Sequence, residues 1–281
     1  MKDNVNVYGV GDLSKLPELY PKDVLGSLFT DNPFVAELAL KSKFPSSADG
    51  LLFVSSIMSK FGINILALNL TCKRELQYMV FFIDYSRAKI KLEKLMEELR
   101  KHPNILDVKY KAKVLDEKII SAFAFPTFNL GAYKVLILAV EEFSSVFEKI
   151  KEVYGTGGEA LLYHIGKMLG EMAGERYRGK RITGKFVMED CLAFQAFGWG
   201  IVDVEHVDVK AQVVSLKIYN LFESITVKGR KRKPNCHFVR GYLNGVYSRY
   251  FNREVEVLET MCIAKGDPYC RFIIRPRTKS N

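Results

Sequence analysis

Three cysteines and a glutamate near the end of the chain are ordered in a way that suits a metal ion. In Glu259-Thr-Met-Cys262-Ile-Ala-Lys-Gly266-Asp267-Pro268-Tyr-Cys270, a carboxylate stands three residues before one thiol. A second thiol follows a Gly-Asp-Pro turn, and a third, Cys236, lies upstream in Pro234-Asn-Cys236-His237. Three thiolates and one carboxylate make a closed four-coordinate set for a structural zinc ion, with no open position for substrate. The turn lets Cys270 approach Cys262, whereas Cys236 must arrive from a neighbouring helix. The competing reading is separate reduced core cysteines, because free cysteine is among the most buried residue types. His237 is the substitute ligand if Glu259 faces elsewhere.

Little else has catalytic spacing. The chain holds four histidines, with no His-Glu-x-x-His pair, nucleophile elbow, or nicotinamide or flavin fingerprint. Asp190-Cys191 lacks a nearby histidine, and Cys191 falls on the apolar side of its helix. Gly155-Thr-Gly-Gly158 lacks the strand before it and the Lys-Ser/Thr ending of a phosphate loop. Catalysis is therefore the weakest functional reading. Two basic runs offer a different chemistry: Lys228-Gly-Arg230-Lys231-Arg232-Lys233 has five cations in six residues, and Arg176 to Lys185 has another five. Such runs either neutralise nucleic-acid phosphates or stay as solvated loops. No recognition helix, RNA-binding sheet motif or zinc-finger spacing accompanies them.

The 281 residues can fill two ordinary cores or one large one, and 48% apolar with 26% charged residues indicates a globular chain. A formal charge of +10 permits nucleic acid, an acidic partner or an anionic surface and specifies none. Five cysteines, with Cys72 and Cys191 standing alone, fit a reducing compartment better than a disulfide framework. The start has no apolar signal core, and runs such as Val135–Val140 are far shorter than a membrane span. The expectation is a soluble, cytoplasmic protein.

The patterning divides the chain. Residues 1–33 read as an irregular arm with Pro17, Pro21 and Pro33. Thereafter come a strand at 35–41, a helix at 51–61 capped by Asp49, and strands at 65–71 and 75–85. An amphipathic helix at 89–99 and a strand at 105–111 follow. Strand, helix, strand, strand, helix, strand is the split unit of the ferredoxin-like fold. The run from Ala48-Asp49-Gly50 to Gly62-Ile-Asn64-Ile65, with Asn104-Ile-Leu-Asp107-Val108, resembles ACT domains, which are regulatory modules that often bind amino acids. In that family the turn here occupied by Asp49-Gly50 often faces the ligand; the plainer role is a helix cap and a close-packing glycine.

The boundary is expected near Leu115-Asp116, with an unassigned connector to Phe125. A strand at 134–140, helices at 141–153, 159–176 and 183–197, strands at 202–209 and 213–219, a helix at 236–251 and two last strands complete the reading. Gly166, Gly170 and Gly174 recur every fourth residue, as do Gly241 and Gly245, so another element can approach each helix closely. From about 120 to 275 the chain resembles the four-vinyl reductase domain family. The resemblance rests on Gly158 and its glycine-bearing helix, Gly198-Trp199-Gly200, the paired strands, Cys236, Gly241-Tyr242, Gly245 and the terminal Glu-Thr-Met-Cys…Gly-Asp-Pro-Tyr-Cys.

That family includes the aromatic-sensing part of phenol-responsive activators, whose zinc ligands match Cys236, Glu259, Cys262 and Cys270 in type and order. The resemblance implies structural Zn2+, a homodimer and a closed apolar pocket. His164, Trp199, Tyr219, Phe222, Tyr247 and Phe251 are its candidate lining, with ordinary core packing as the alternative. The tryptophan that holds the ligand in those sensors has no counterpart around Lys217–Phe222, so phenol itself is not expected. The fold expected is α+β: an arm (1–33), an ACT-like domain (34–114), a four-vinyl reductase-like domain (115–276) and a tail (277–281). The functional expectation is a non-catalytic regulatory protein that binds a small hydrophobic or aromatic molecule and acts through a partner, in transcription for instance. The alternatives are a nucleic-acid binder using the basic loops and a protein-interaction scaffold, as in vesicle-tethering particles.

Overall fold

A computed structural model describes residues 19–24, 26–129 and 133–278. Most of the expected arm and the last residues of the expected tail lie outside the described residues. The chain separates into two compact units, Leu19–Ile137 and the residues from Leu138 onward.

The first unit begins with β1 (Ser27–Phe29) inside the expected arm. The repeat follows as β2 (Val35–Ser42), α1 (Ser47–Lys60), β3 (Asn64–Lys73), β4 (Leu76–Asp84), α2 (Leu92–Arg100) and β5 (Ile105–Ala112). Its antiparallel sheet has the order β3-β4-β2-β5, so the second hairpin strand slots beside the first strand as the split unit requires. Alternation builds the core: Ala36, Leu38 and Leu40 meet Met79, Phe81 and Ile83 beneath Val54, Met58, Leu95 and Leu99. The cap of α1 is Ser46 rather than Asp49. Ser46 Oγ accepts from the Asp49 amide, and Asp49 Oδ2 accepts from the Ser46 amide, a reciprocal capping box.

The connector after Ala112 is structured. Strand β6 (Lys118–Ile120) pairs with β1, and the fully buried Glu37 accepts from the Ala122 amide at 2.7 Å. The strand expected at 134–140 is reduced to Tyr133–Lys134 (β8), paired with Phe128–Asn129 (β7); residues 135–139 have no regular structure. That run is apolar, but Leu136 is 90% exposed, so hydrophobicity there marks no core strand.

The second unit opens with α3 (Val140–Glu175), broken at Gly155, whose φ of 53° and ψ of −132° leave the helix. Next come α4 (Gly184–Ala196), β9 (Ile201–Asp208), β10 (Val213–Tyr219), the short α5 (Phe222–Ile225) and α6 (His237–Tyr250). Strand β11 (Val255–Met261), a 3-10 turn at Ile263–Lys265 and β12 (Cys270–Pro276) close the chain in a sheet ordered β11-β12-β10-β9. Leu216, Ile218, Phe272 and Ile274 are fully buried in its core. The glycine ridges meet each other. A Cβ on Gly166 would lie 2.0 Å from Phe238 O, and one on Gly241 would lie 2.0 Å from Tyr163 O. The expectation of close approach holds, but both ridges are spent inside one chain and leave no glycine face for a second copy.

Across the sheet, Glu205 joins three strands. It accepts from Ser215 Oγ at 2.6 Å, pairs with Lys217 at 3.1 Å and is held by Arg271 at 2.7 Å. The Ser215 hydroxyl first, and then Arg271, hold its pKa down at about 2. A depressed carboxylate contributes stability above its unfolded pKa and loses it as pH falls toward the folded value. Glu205→Gln is therefore expected to cost about 1–2 kcal/mol at neutral pH, allowing for solvent screening, with the difference fading between about pH 4.5 and 2. Urea unfolding across that range checks it; a pH-independent difference would remove the charge from the account.

Candidate metal centre

Local chemistry builds the turn that carries two of the thiols. Cys262 donates its amide to Asp267 Oδ2 at 2.8 Å, and Gly266 adopts φ 100°, the left-handed geometry that lets the turn close. Residue Asp267 returns its own amide to Cys262 O, and the chain then enters β12 at Cys270. Opposite, Ile218 of β10 pairs with Cys270. Cys236 immediately precedes α6, as the spacing required of a distant closure.

One ligand atom from each of Cys236, Glu259, Cys262 and Cys270 lies within 4.8 Å of the others. Cys236 Sγ is 3.8 Å from Cys262 Sγ and 3.6 Å from Cys270 Sγ. Sulfurs about 2.3 Å from a tetrahedral zinc ion would stand about 3.8 Å apart, so the thiol spacing fits. Glu259 Oε2 accepts from the Cys236 amide at 3.1 Å, whereas Glu259 Oε1 is buried without a hydrogen-bond partner. A buried acceptor left open beside three thiols fits a cation. Burial, and next the charge on Cys262, push Glu259 up to about 9. The thiols share charge unequally: Cys236 and then Cys270 donate toward Cys262 and pull it far down, while burial pushes Cys236 and Cys270 up. A dication would let the whole set ionise. The other two thiols, Cys72 and Cys191, are apart from this cluster.

The supporting groups were not legible in the spacing. Glu223, fully buried on α5, accepts from the Phe238 and Val239 amides at 2.9 and 2.8 Å. It caps α6 directly after Cys236, and burial pushes it up to about 7. Asn235 donates to Glu148 Oε1 at 2.8 Å, and Lys151 donates to Asn235 O at 3.3 Å. Lys231 pairs with Glu148 at 2.6 Å. Burial opposes the Glu148 charge, but Lys151, Lys231 and Asn235 outweigh it and draw its pKa down. A glutamate thirteen positions before a cysteine carries no local signal of such a role.

The aromatic candidates fall into separate groups. Trp199 packs on Phe222 at 5.4 Å, within a cluster that includes Phe194, Phe238 and Tyr242. Tyr247 and Phe251 form another contact at 5.8 Å, beside Tyr250 and Cys191. Tyr219 faces Tyr269 at 5.2 Å. His164 is exposed and lines a surface cleft with Glu159, Tyr163, His237 and Arg240.

Residues 218–276, which span all four candidate ligands and Glu223, match the family model of the four-vinyl reductase domain. An uncharacterised Methanocaldococcus jannaschii protein, MJ0150, is 29% identical over 132 residues, covering 44% of this chain and 69% of its own length. The phenol-responsive sensory domain of the transcription activator PoxR aligns over 52% of this chain and 79% of that one, with 18% identity and a TM-score of 0.45. The ACT domain of a Chlorobium tepidum GTP pyrophosphokinase aligns over 28% of this chain and 97% of its own, with 24% identity and a TM-score of 0.23. No helix among the described residues is long and apolar enough to cross a membrane.

Proposed function

We propose that the unit from Leu138 onward is a zinc-stabilised, non-catalytic sensor of a small, mostly apolar molecule, serving a regulatory protein that acts through a partner. The observation that carries this reading is the closed donor set: three buried thiols and the largely buried Glu259 converge. Cys236, Glu259, Cys262 and Cys270 would hold the ion, whose contribution is a structural cross-link. The four-vinyl reductase domain match over the same residues supports it. The ring cluster around Trp199 is the place a ligand would open, because Phe222 and Phe238 adjoin Glu223 and the start of α6. Burial of apolar surface would drive binding at about 25 cal/mol per Å2. Residues 34–114 would serve as an ACT-like regulatory module of the same chain.

Native mass spectrometry of freshly isolated protein tests this reading by reporting metal, retained ligand and subunit number together. The expected result is one zinc per chain, a small apolar adduct and a homodimer, for which exposed Leu161, Met168 and Met172 on α3 offer an apolar face. Adding simple aromatic compounds to stripped protein should raise the unfolding temperature. A zinc-loaded chain that retains no adduct and shows no such rise would overturn the sensor.

A further inference from the structure

The basic run before Cys236 is not a free loop. Gly229 donates its amide to Ile263 O at 3.1 Å, and Lys231 donates its amide to Ala264 O at 2.9 Å. Both acceptors belong to the 3-10 turn that follows Cys262, so the run is laid along the turn holding two candidate ligands. Within it Lys231 is engaged by Glu148. Arg230, Arg232 and Lys233 are exposed and carry no acidic partner among the described residues. The second basic run differs: Arg178 pairs with Glu175 at 2.8 Å, and Lys180 sits 5.2 Å from the Tyr177 ring centroid. The structure thus separates two runs that look alike in sequence. Each run is partly consumed locally; what sets the first apart is a backbone tied to the turn that follows Cys262.

We propose that the Lys228–Lys233 run is a metal-ordered contact for the phosphate backbone of nucleic acid. This rests on the Cys236 set being a metal centre. Residues 230–233 span at most about 11 Å, and phosphates on one strand recur every ~3.4 Å of helix axis, so three cations can meet neighbouring phosphates. Two of the three are arginines, whose planar fork binds phosphate through paired hydrogen bonds. A membrane surface fits less well, since no large apolar side chain between 226 and 234 is exposed for insertion beside the charges. Backbone contact of this kind carries no base preference. It gives the unit an output surface next to the metal, so a change that loosens the turn also loosens the contact.

Fluorescence anisotropy of the full chain with a labelled mixed-sequence DNA duplex at roughly 50 mM salt tests the proposal. Binding should weaken with salt at a log–log slope of about −2.7, the value for three neutralised phosphates. The combined Arg230→Ala, Arg232→Ala, Lys233→Ala variant should bind at least about tenfold more weakly with a slope near zero. It should keep its zinc and its response to aromatic compounds, which separates failure here from failure of the sensor reading. Chelator-treated wild type should match that variant. Absence of binding, an unaffected triple variant, equal binding after chelation, or equal affinity for phosphatidylserine vesicles would each overturn the proposal.

Discussion

Cys262→Ser is expected to remove the metal and to lower the stability of the second unit by about 4 kcal/mol or more. Cys236 Sγ stands 3.8 Å from the Cys262 sulfur, and the Cys262 backbone is tied to Asp267 at both its amide and its carbonyl. The Asp267 and Gly266 contacts that shape the turn remain available in the serine variant, but the turn loses the anchor that holds it in place. What disappears is the cross-link from β11 and β12 to the start of α6. A serine hydroxyl stays protonated near neutral pH and is a poor substitute for thiolate, so Cys236, Glu259 and Cys270 would remain buried without a common partner. Glu259→Gln should lose less, since an amide oxygen can still accept from the Cys236 amide. Metal analysis of protein purified without added zinc, with thermal unfolding in the presence and absence of chelator, reads both effects. Hydrogen exchange should rise first along Val255–Pro276. Fully folded wild-type protein without metal, as stable as the loaded form, would remove zinc from the account of this fold.

The legible parts of the molecule are those in which neighbouring residues settle the outcome. Glu259, Cys262 and Cys270 were readable because a Gly-Asp-Pro turn between thiols has few other uses, and the turn forms with Gly266 at φ 100°. Cys236 entered as an upstream thiol, and the family resemblance then matched its order, because a spacing of twenty-odd residues does not by itself determine contact. The six elements of the repeat from β2 to β5 followed from periodicity, and within it the structure changes the cap of α1, which is Ser46 with Asp49 answering it. Failures came where contacts are short and distant. Three-residue β1 pairs with β6 across about ninety residues, with no alternating pattern long enough to announce either strand. The run Val135–Val140 had the composition of a strand but no partner in that register. Trp199 and Tyr247 share one core, but their ring contacts are with different neighbours. Glu223 was invisible because its partners lie fifteen and sixteen positions later.

Gly170→Ala is expected to destabilise the second unit by about 3 kcal/mol or more, although the same change on an exposed helix would be worth up to ~1 kcal/mol of added stability. The reversal comes from what the new methyl group would meet. Its Cβ would lie 2.1 Å from Tyr242 O and 2.9 Å from Tyr242 C, backbone atoms of α6 that no side-chain rotation can move. Gly245 makes the reciprocal contact from α6, where a Cβ would lie 2.2 Å from Lys167 O. Both helices would have to separate, giving up the close packing that the alternating glycines permit. Position along the pair should grade the consequence. Gly166 faces Phe238, two residues beyond Cys236, so Gly166→Ala should displace the start of α6 and weaken zinc binding as well as folding. A Cβ at Gly174 would instead meet Arg249 Cβ at 2.7 Å as its nearest atom, near the opposite end of α6. Gly174→Ala should therefore cost less and leave the metal in place. Urea unfolding and zinc competition with a chelating dye, measured on all three variants, give the expected order. If Gly170→Ala is as stable as wild type, the two backbones are not in contact. If Gly166→Ala and Gly174→Ala release zinc equally, the helix start does not position Cys236.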